Sequence, residues 1–287
     1  MDYKDRKGNI YFDDSFQDKI LSLLYTKSFG RLFLKLLTVE TVSKTAGKLL
    51  ETKLSGLLVK PFVMINKINM SDYPTVKYKT FNDFFTRKIT PEKRPIDYSE
   101  HNFISPCDSN LLALKLTDNA EFIIKNSKYS VYSLLRDKCL ASIYKDGLCL
   151  IFRLSVENYH RYCYVDNLKK TKNRKIKGIY HTVKYISGSN TDIYKENTRE
   201  YTYMETENFG KITQVEIGAL FVGRINNHHD KGEFKKGQEK GMFEFGGSTI
   251  VLLIEKDKVL IDDDIIKNTE AFIETTVKAG EKIGISK

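Results

Sequence analysis

Cysteine is scarce in this chain of 287 residues, and the four present, Cys107, Cys139, Cys149 and Cys163, form no CxxC pair. Their spacing supplies neither a redox motif nor a set of zinc ligands, so reduced thiols, a cytosolic setting and no metal are expected. Proline is scarce as well, at five residues, and no low-complexity stretch or solenoid-type repeat occurs. With 41% hydrophobic residues, an ordinary folded protein with a sizeable core is implied. Long apolar runs are missing too. No stretch approaches the roughly 18 apolar residues of a membrane span, and the charged segment 1–9 lacks the apolar centre of a secretory signal. Any meeting with a membrane is expected from the side.

The charge is present but uneven. Of a formal net charge of +10, residues 1–96 hold +8, from 18 Lys and Arg against 10 Asp and Glu. Such a bias suits an anionic surface, a solvated helical face being the plainer reading. Residues 15–70 carry apolar side chains at helical spacing, such as Phe29, Leu32, Phe33, Leu36 and Leu37, then Val42, Ala46, Leu49, Leu50 and Leu54. A basic amphipathic segment of this kind either lies in the plane of a bilayer interface or packs as a helical layer on the remaining fold. From about residue 100 the period shortens toward two, with candidate strands at 148–156, 213–225, 249–255 and 259–261. The expected class is therefore α+β: N-terminal amphipathic helices over 1–75, then a β-rich catalytic domain of mixed or antiparallel sheets over 76–287. Six basic residues within 169–177 read as an exposed loop or hairpin tip. They lack the interleaved aromatics of a single-strand stacking platform, and nucleic acid is not an expected partner.

Four segments carry chemistry. Phe81-Asn82-Asp83-Phe84-Phe85-Thr86-Arg87, followed by Pro91 and Arg94-Pro95-Ile96, reads as a short aromatic helix ended by prolines. Its phenylalanines suit a core; its arginines are either structural or hold an anion through a bidentate fork. Ser105-Pro106-Cys107-Asp108 is a turn that presents a carboxylate or simply caps one. In Arg153 to Tyr162 a strand runs into a polar turn containing His160, a candidate general base or a hydrogen-bonded structural histidine. In Phe245-Gly246-Gly247-Ser248-Thr249, paired glycines leave a peptide carbonyl open to the neighbouring hydroxyl, or else make an ordinary turn.

Taken together, in this order and at these separations, the segments resemble the phosphatidylserine decarboxylase family. The arginine-proline block lies at Phe84 to Ile96, the Ser-Pro-x-Asp block at Ser105 to Asp108, and KNSKYSVYSLL at 125–135 is similar to the family's Lys-Gly-x-x-Tyr-Ser-Leu element. Tyr159 to Arg161, Asn197 with Arg199, Ile217 to Gly223 and Lys236 through Ser248-Thr249 supply the rest.

The resemblance implies a proenzyme that cuts itself between Gly247 and Ser248 into chains 1–247 and 248–287, which stay together as a heterodimer that could oligomerise further. It implies a covalent pyruvoyl group made from Ser248 that forms a Schiff base with the substrate amine and accepts electrons as carbon dioxide leaves. Asp108, His160 and Ser248 are then expected as base-orienter, base and nucleophile. The implied substrate is phosphatidylserine, the product phosphatidylethanolamine, and the implied place the cytoplasmic face of the cell membrane as a peripheral protein. Many members carry a second histidine three residues after the first, where this chain has Cys163. Either His160 serves both duties or another residue, such as His181, enters the site. Two other readings are a pyruvoyl decarboxylase of a free amino acid and, from the turn at 277–284, a non-enzymatic carrier-like or peripheral membrane-binding protein.

Overall fold

The structure is a computed structural model and describes residues 2–12, 47–124, 127–178, 197–218, 224–244 and 248–287. The amphipathic pattern expected up to residue 46, His181, the run 219–223 and Phe245 to Gly247 lie outside the described residues.

Short β-strands dominate. In chain order they are β1 (Tyr3–Lys4), β2 (Ile10–Tyr11), β3 (Asn102–Ile104), β4 (Ser109–Lys115), β5 (Glu121–Ile124), β6 (Ser127–Ser130), β7 (Leu148–Leu154), β8 (Arg161–Cys163), β9 (Leu168–Lys170) and β10 (Arg174–Ile176). They continue as β11 (Arg199–Thr206), β12 (Lys211–Gly218), β13 (Ile225–Asn227), β14 (Gly232–Phe234), β15 (Glu239–Phe243), β16 (Ser248–Ile254), β17 (Val259–Ile261), β18 (Glu274–Val277) and β19 (Lys282–Ser286). The large sheet runs β14-β9-β11-β12-β16-β7-β4-β18-β1-β2, with β10 also on β11. All its pairings are antiparallel except β1 with β18. Two three-stranded sheets, β13-β15-β8 and β17-β19-β3, and the hairpin β5-β6 complete it.

The centre of the large sheet is β16, whose seven residues are all buried. Because side chains alternate along a strand, Ile250, Leu252 and Ile254 enter one core, shared with Phe152, Tyr162 and Phe243. Val251 and Leu253 enter the other, with Ile151, Val215 and Val131. A strand buried on both faces has no polar positions to spare, which is why 249–255 reads as a continuous apolar run rather than an alternation.

Helices are few and short among the described residues. Residues 47–50 are helical, a 3₁₀ turn covers Lys53–Leu58, and an α-helix covers Val59–Ile65. The expected aromatic helix is present at Phe81–Phe85. Thr80 Oγ1 accepts from Asp83 N at 3.0 Å and Asp83 accepts from Thr80 N at 3.1 Å, a capping box that starts the helix. Its three phenylalanines are buried, and Phe84 packs with Phe62, Ile68 and Tyr73 in a third cluster that also touches Ile89 and Tyr159.

Two departures from the sequence reading have local causes. The N-terminal segment forms the β1-β2 hairpin at the sheet edge, held where Arg6 bridges Asp262 at 2.9 Å and Asp264 at 2.6 Å. The basic run 169–177 is not a free loop. Leu168–Lys170 and Arg174–Ile176 pair with opposite ends of β11, and buried Lys170 donates to Asn173 Oδ1 and the His229 carbonyl, each at 3.0 Å. Burial pushes the Lys170 pKa down to about 8.

Candidate active site

Ser248 opens β16, facing Gly218 of β12 on one side and Leu154 of β7 on the other. By alternation its side chain points to the same face as Ile250 and Leu252. The residue is fully buried, and among the described residues Oγ has no hydrogen-bond partner. An orphaned buried hydroxyl costs of the order of 1–3 kcal/mol, and the Ser109 and Thr249 hydroxyls share this state among the described residues. Its backbone is held firmly. Gly218, the register partner, donates to the Thr198 carbonyl at 3.0 Å, and buried Asn197 Nδ2 donates to the Gly218 carbonyl at 2.7 Å.

His160 reaches this region through the small sheet. Its carbonyl accepts from Phe243 N at 2.9 Å, extending the β8-β15 ladder by one residue, and four residues, 244–247, separate Phe243 from Ser248. The imidazole is 1% exposed, its ring 4.1 Å from that of Phe85. Nδ1 lies 2.9 Å from the Asn158 carbonyl, which can only accept. Nδ1 therefore carries the proton of the neutral ring, and Nε2 keeps a lone pair. Nε2 is buried and, among the described residues, also without a partner. Burial first, and then the Arg87 guanidinium, push the pKa down to about 3 against the hydrogen bond to Asn158. A ring that stays neutral keeps Nε2 open to a hydrogen bond from a hydroxyl, while the same burial weakens it as a base.

Arg87 is itself buried, with Nη2 3.1 Å from both the Tyr73 hydroxyl and the Glu157 carbonyl, and its guanidinium lies over the Tyr73 and Phe84 rings. It thus ties the Phe81–Phe85 helix to the turn that carries His160.

Asp108 sits in the turn between β3 and β4. Its carboxylate accepts from Arg94 Nε at 2.8 Å, Arg94 Nη2 at 2.6 Å and Ala279 N at 2.8 Å. Arg94 also reaches Asp72 at 3.2 Å, so one guanidinium ties the helical layer to the β-rich part. The structure thus joins Asp108 to Arg94, while the partner of His160 Nδ1 is the Asn158 backbone. Cys163, where many family members carry a histidine, is buried with its thiol pushed up to about 12 by burial. It is no base at neutral pH.

Behind the β8-β15 ladder lies a buried polar cluster. Lys240 Nζ, fully buried, reaches Glu216 at 2.7 Å and Asn227 Oδ1 at 2.7 Å, and Gln214 Nε2 donates to Glu216 at 2.9 Å. Gly241 next to it cannot be larger, because a Cβ there would lie 2.4 Å from the Asn226 carbonyl. The cluster clamps the small sheet to β12, two residues along from Gly218.

Sequence reasoning named Ser248, His160 and Asp108 but missed the parts of Asn158, Asn197 and Arg87. Asn158 acts through a backbone carbonyl, which leaves no side-chain signature. Asn197 stands in the Asn-x-Arg element, where its signal was present.

The site thus holds a buried serine at the head of a central strand, preceded in sequence by a glycine pair, and a buried neutral histidine on the adjoining small sheet. The family model for phosphatidylserine decarboxylase matches residues 81–285. The chain is 45% identical over 276 residues to phosphatidylserine decarboxylase proenzyme 2 of Clostridium acetobutylicum, covering 96% of this chain and 94% of that one. Against the phosphatidylserine decarboxylase proenzyme of Clostridium perfringens the identity is 39% over 272 residues, covering 93% and 92%. Against that of Fusobacterium nucleatum it is 38% over 294 residues, covering 100% and 98%. The chain belongs to the phosphatidylserine decarboxylase family.

Proposed function

We propose that the chain is a carboxy-lyase that converts phosphatidylserine to phosphatidylethanolamine, after maturing by cleavage of its own Gly247-Ser248 bond. The observation that carries this reading is that Ser248 Oγ and His160 Nε2 are both buried and without a partner among the described residues, with His160 paired through its carbonyl to Phe243, five positions before Ser248.

In this scheme His160 Nε2 takes the Ser248 hydroxyl proton as Oγ attacks the Gly247 carbonyl carbon. The C–N bond breaks, the Ser248 nitrogen is protonated, and the acyl group rests on Oγ as an ester. Loss of the Ser248 Cα proton then expels the Gly247 carboxylate, leaving dehydroalanine at position 248, which takes up water and loses ammonia to become a pyruvoyl group. That group, once formed, supplies the electron sink for loss of carbon dioxide from an amine-bearing substrate. The residues present fit it: a buried hydroxyl without a partner at residue 248, glycines before it, and a strand locked on both edges. Asn197, through Gly218, keeps the position in register. Asp108 enters this scheme through Arg94 and Ala279 N, and makes no hydrogen bond to His160 among the described residues.

Chain 248–287 would remain bound after the cut, since β16 lies between β12 and β7 and β18 pairs with β4. The stretch to about residue 75 is the membrane-facing part, and 76–287 is the decarboxylase part. Leu54, Leu57 and Met64 are 76–78% exposed there, among exposed Lys53, Lys60 and Lys67. Apolar side chains in the acyl layer with lysines at anionic headgroups would hold the protein at the cytoplasmic leaflet. Among the described residues no helix is long and apolar enough to cross a membrane.

The test is to incubate purified protein with phosphatidylserine in detergent micelles and measure phosphatidylethanolamine formed. Free serine serves as the competing substrate. Phosphatidylethanolamine formation with serine untouched is expected; decarboxylation of free serine in its place would overturn the reading.

A further inference from the structure

A cavity of about 240 Å³ opens between the segment 88–96 and strand β8, with Lys88, Arg94, Arg161 and Glu239 as its charged lining and Ile89 and Tyr159 among its apolar walls. Three cations face one carboxylate there, and their states differ. Arg94 commits four of its five N–H groups to Asp108, Asp72 and the Lys93 carbonyl. Arg161 donates Nε to the Thr86 carbonyl at 2.9 Å and Nη1 to Glu239 at 2.6 Å, which leaves Nη2 without a partner among the described residues. Lys88 is exposed, and no hydrogen bond or ion pair engages its ammonium among the described residues. A rigid guanidinium with a free N–H and an unpaired ammonium at the mouth of a largely apolar cavity make a receptor for one oxyanion attached to an apolar body.

Position narrows the ligand. Tyr159 and Arg161, the two chain neighbours of His160, both line the cavity. Ile89 and Tyr159 also pack on the third hydrophobic cluster, under the helical segment that exposes Leu54, Leu57 and Met64. The cavity thus sits between the exposed helical layer and β8, on the face of the chain opposite to the His160 ring, since the lining includes Tyr159 and Arg161 but not His160.

We propose that this cavity binds the phosphodiester of the phospholipid substrate, with Lys88 and Arg161 Nη2 contacting its oxygens. The inference rests on the functional reading above. Phosphate held at β8 by these two cations makes a headgroup without phosphate a poor substrate. Selection of the lipid over free serine then has a physical origin.

Lys88→Gln is the principal variant, because the side chain is exposed and ties no two elements together; Lys88→Arg is its rescue, and Arg161→Lys the second site. With short-chain phosphatidylserine as substrate, Lys88→Gln is expected to raise KM about tenfold with little change in kcat, the mark of a lost binding contact, and Lys88→Arg to restore it. Calorimetric titration with glycerophosphoserine in a Ser248→Ala background, where no turnover occurs, is expected to show about tenfold weaker binding when Lys88→Gln is added, and inorganic phosphate alone is expected to bind more weakly than glycerophosphoserine. Unchanged KM and binding in both Lys88→Gln and Arg161→Lys would overturn the proposal, as would inorganic phosphate binding as tightly as glycerophosphoserine, which would make this a free-phosphate site. Normal glycerophosphoserine binding without turnover of phosphatidylserine would instead refute the functional reading and leave the subsite standing.

Discussion

Acidification to pH 5.5 distinguishes a buried, neutral His160 from an ordinary surface histidine. At that pH a histidine of ordinary pKa, about 6.5, is about 90% protonated and loses about tenfold in its capacity as a base. With its pKa pushed down to about 3 by burial and Arg87, His160 remains more than about 99% neutral at the same pH. The rate of self-cleavage should therefore show no inflection between pH 7.5 and 5.5. Stability responds differently. The unfolded ring binds a proton below about pH 6.5 while the native ring refuses one until about pH 3, so the unfolded state holds more protons throughout that window. Stability from this residue is thus lost as pH falls from 6.5 toward 3, by about 1.3 kcal/mol at pH 5.5 relative to neutral pH. Proenzyme made by cell-free synthesis, transferred to each pH and followed by mass, gives the rate; urea unfolding of a Ser248→Ala chain gives the stability. A tenfold fall in cleavage rate centred near pH 6.5 would refute the burial argument.

Further outcomes follow from named contacts. Asn197→Ala removes the hydrogen bond to the Gly218 carbonyl and should slow self-cleavage at least tenfold while the chain stays folded by circular dichroism, since it loosens the register partner of Ser248. Lys240→Met leaves Glu216 buried and unpaired and should cost about 3–5 kcal/mol in urea unfolding, much of it recovered in Lys240→Met with Glu216→Gln. Asp108→Asn breaks the buried pairing with Arg94. A slowed cleavage beyond the loss of stability would place Asp108 in the chemistry, and unchanged cleavage in a destabilised chain would confine it to holding Arg94. Replacing Leu54, Leu57 and Met64 together by Gln should abolish sedimentation with anionic vesicles without altering the melting temperature; undiminished sedimentation would remove these side chains from the membrane face.

Much of this was legible where one residue's chemistry or one strand's periodicity sufficed. The β16 run follows from its continuous apolar pattern, the mark of burial on both faces; Val259–Ile261 follows from its β-branched residues, although Leu260 is exposed, and Phe81, Phe84 and Phe85 suit a core by size and apolarity. Lys170 and Lys240 were not legible, since lysine is ordinarily a surface residue and only the fold brings carbonyls or Glu216 to it. The β1-β2 hairpin was missed for a related reason. Its strands are two residues each, too short for a periodic signal, and depend on Arg6 meeting carboxylates from the far end of the chain. In the site, Arg94 and Asp108 each stood in a recognisable block, but their pairing is a tertiary fact, and the group that orients His160 is a carbonyl that any residue could have supplied.

The claim on which the rest depends is that the chain cuts itself at Ser248, and intact mass measurement of the purified protein tests it most directly. Two polypeptides are predicted, one ending at Gly247 and one covering 248–287, the latter blocked to N-terminal sequencing and converted to a single chain of 287 residues by Ser248→Ala. An active enzyme that runs as one intact chain with an ordinary serine at position 248 would contradict the account.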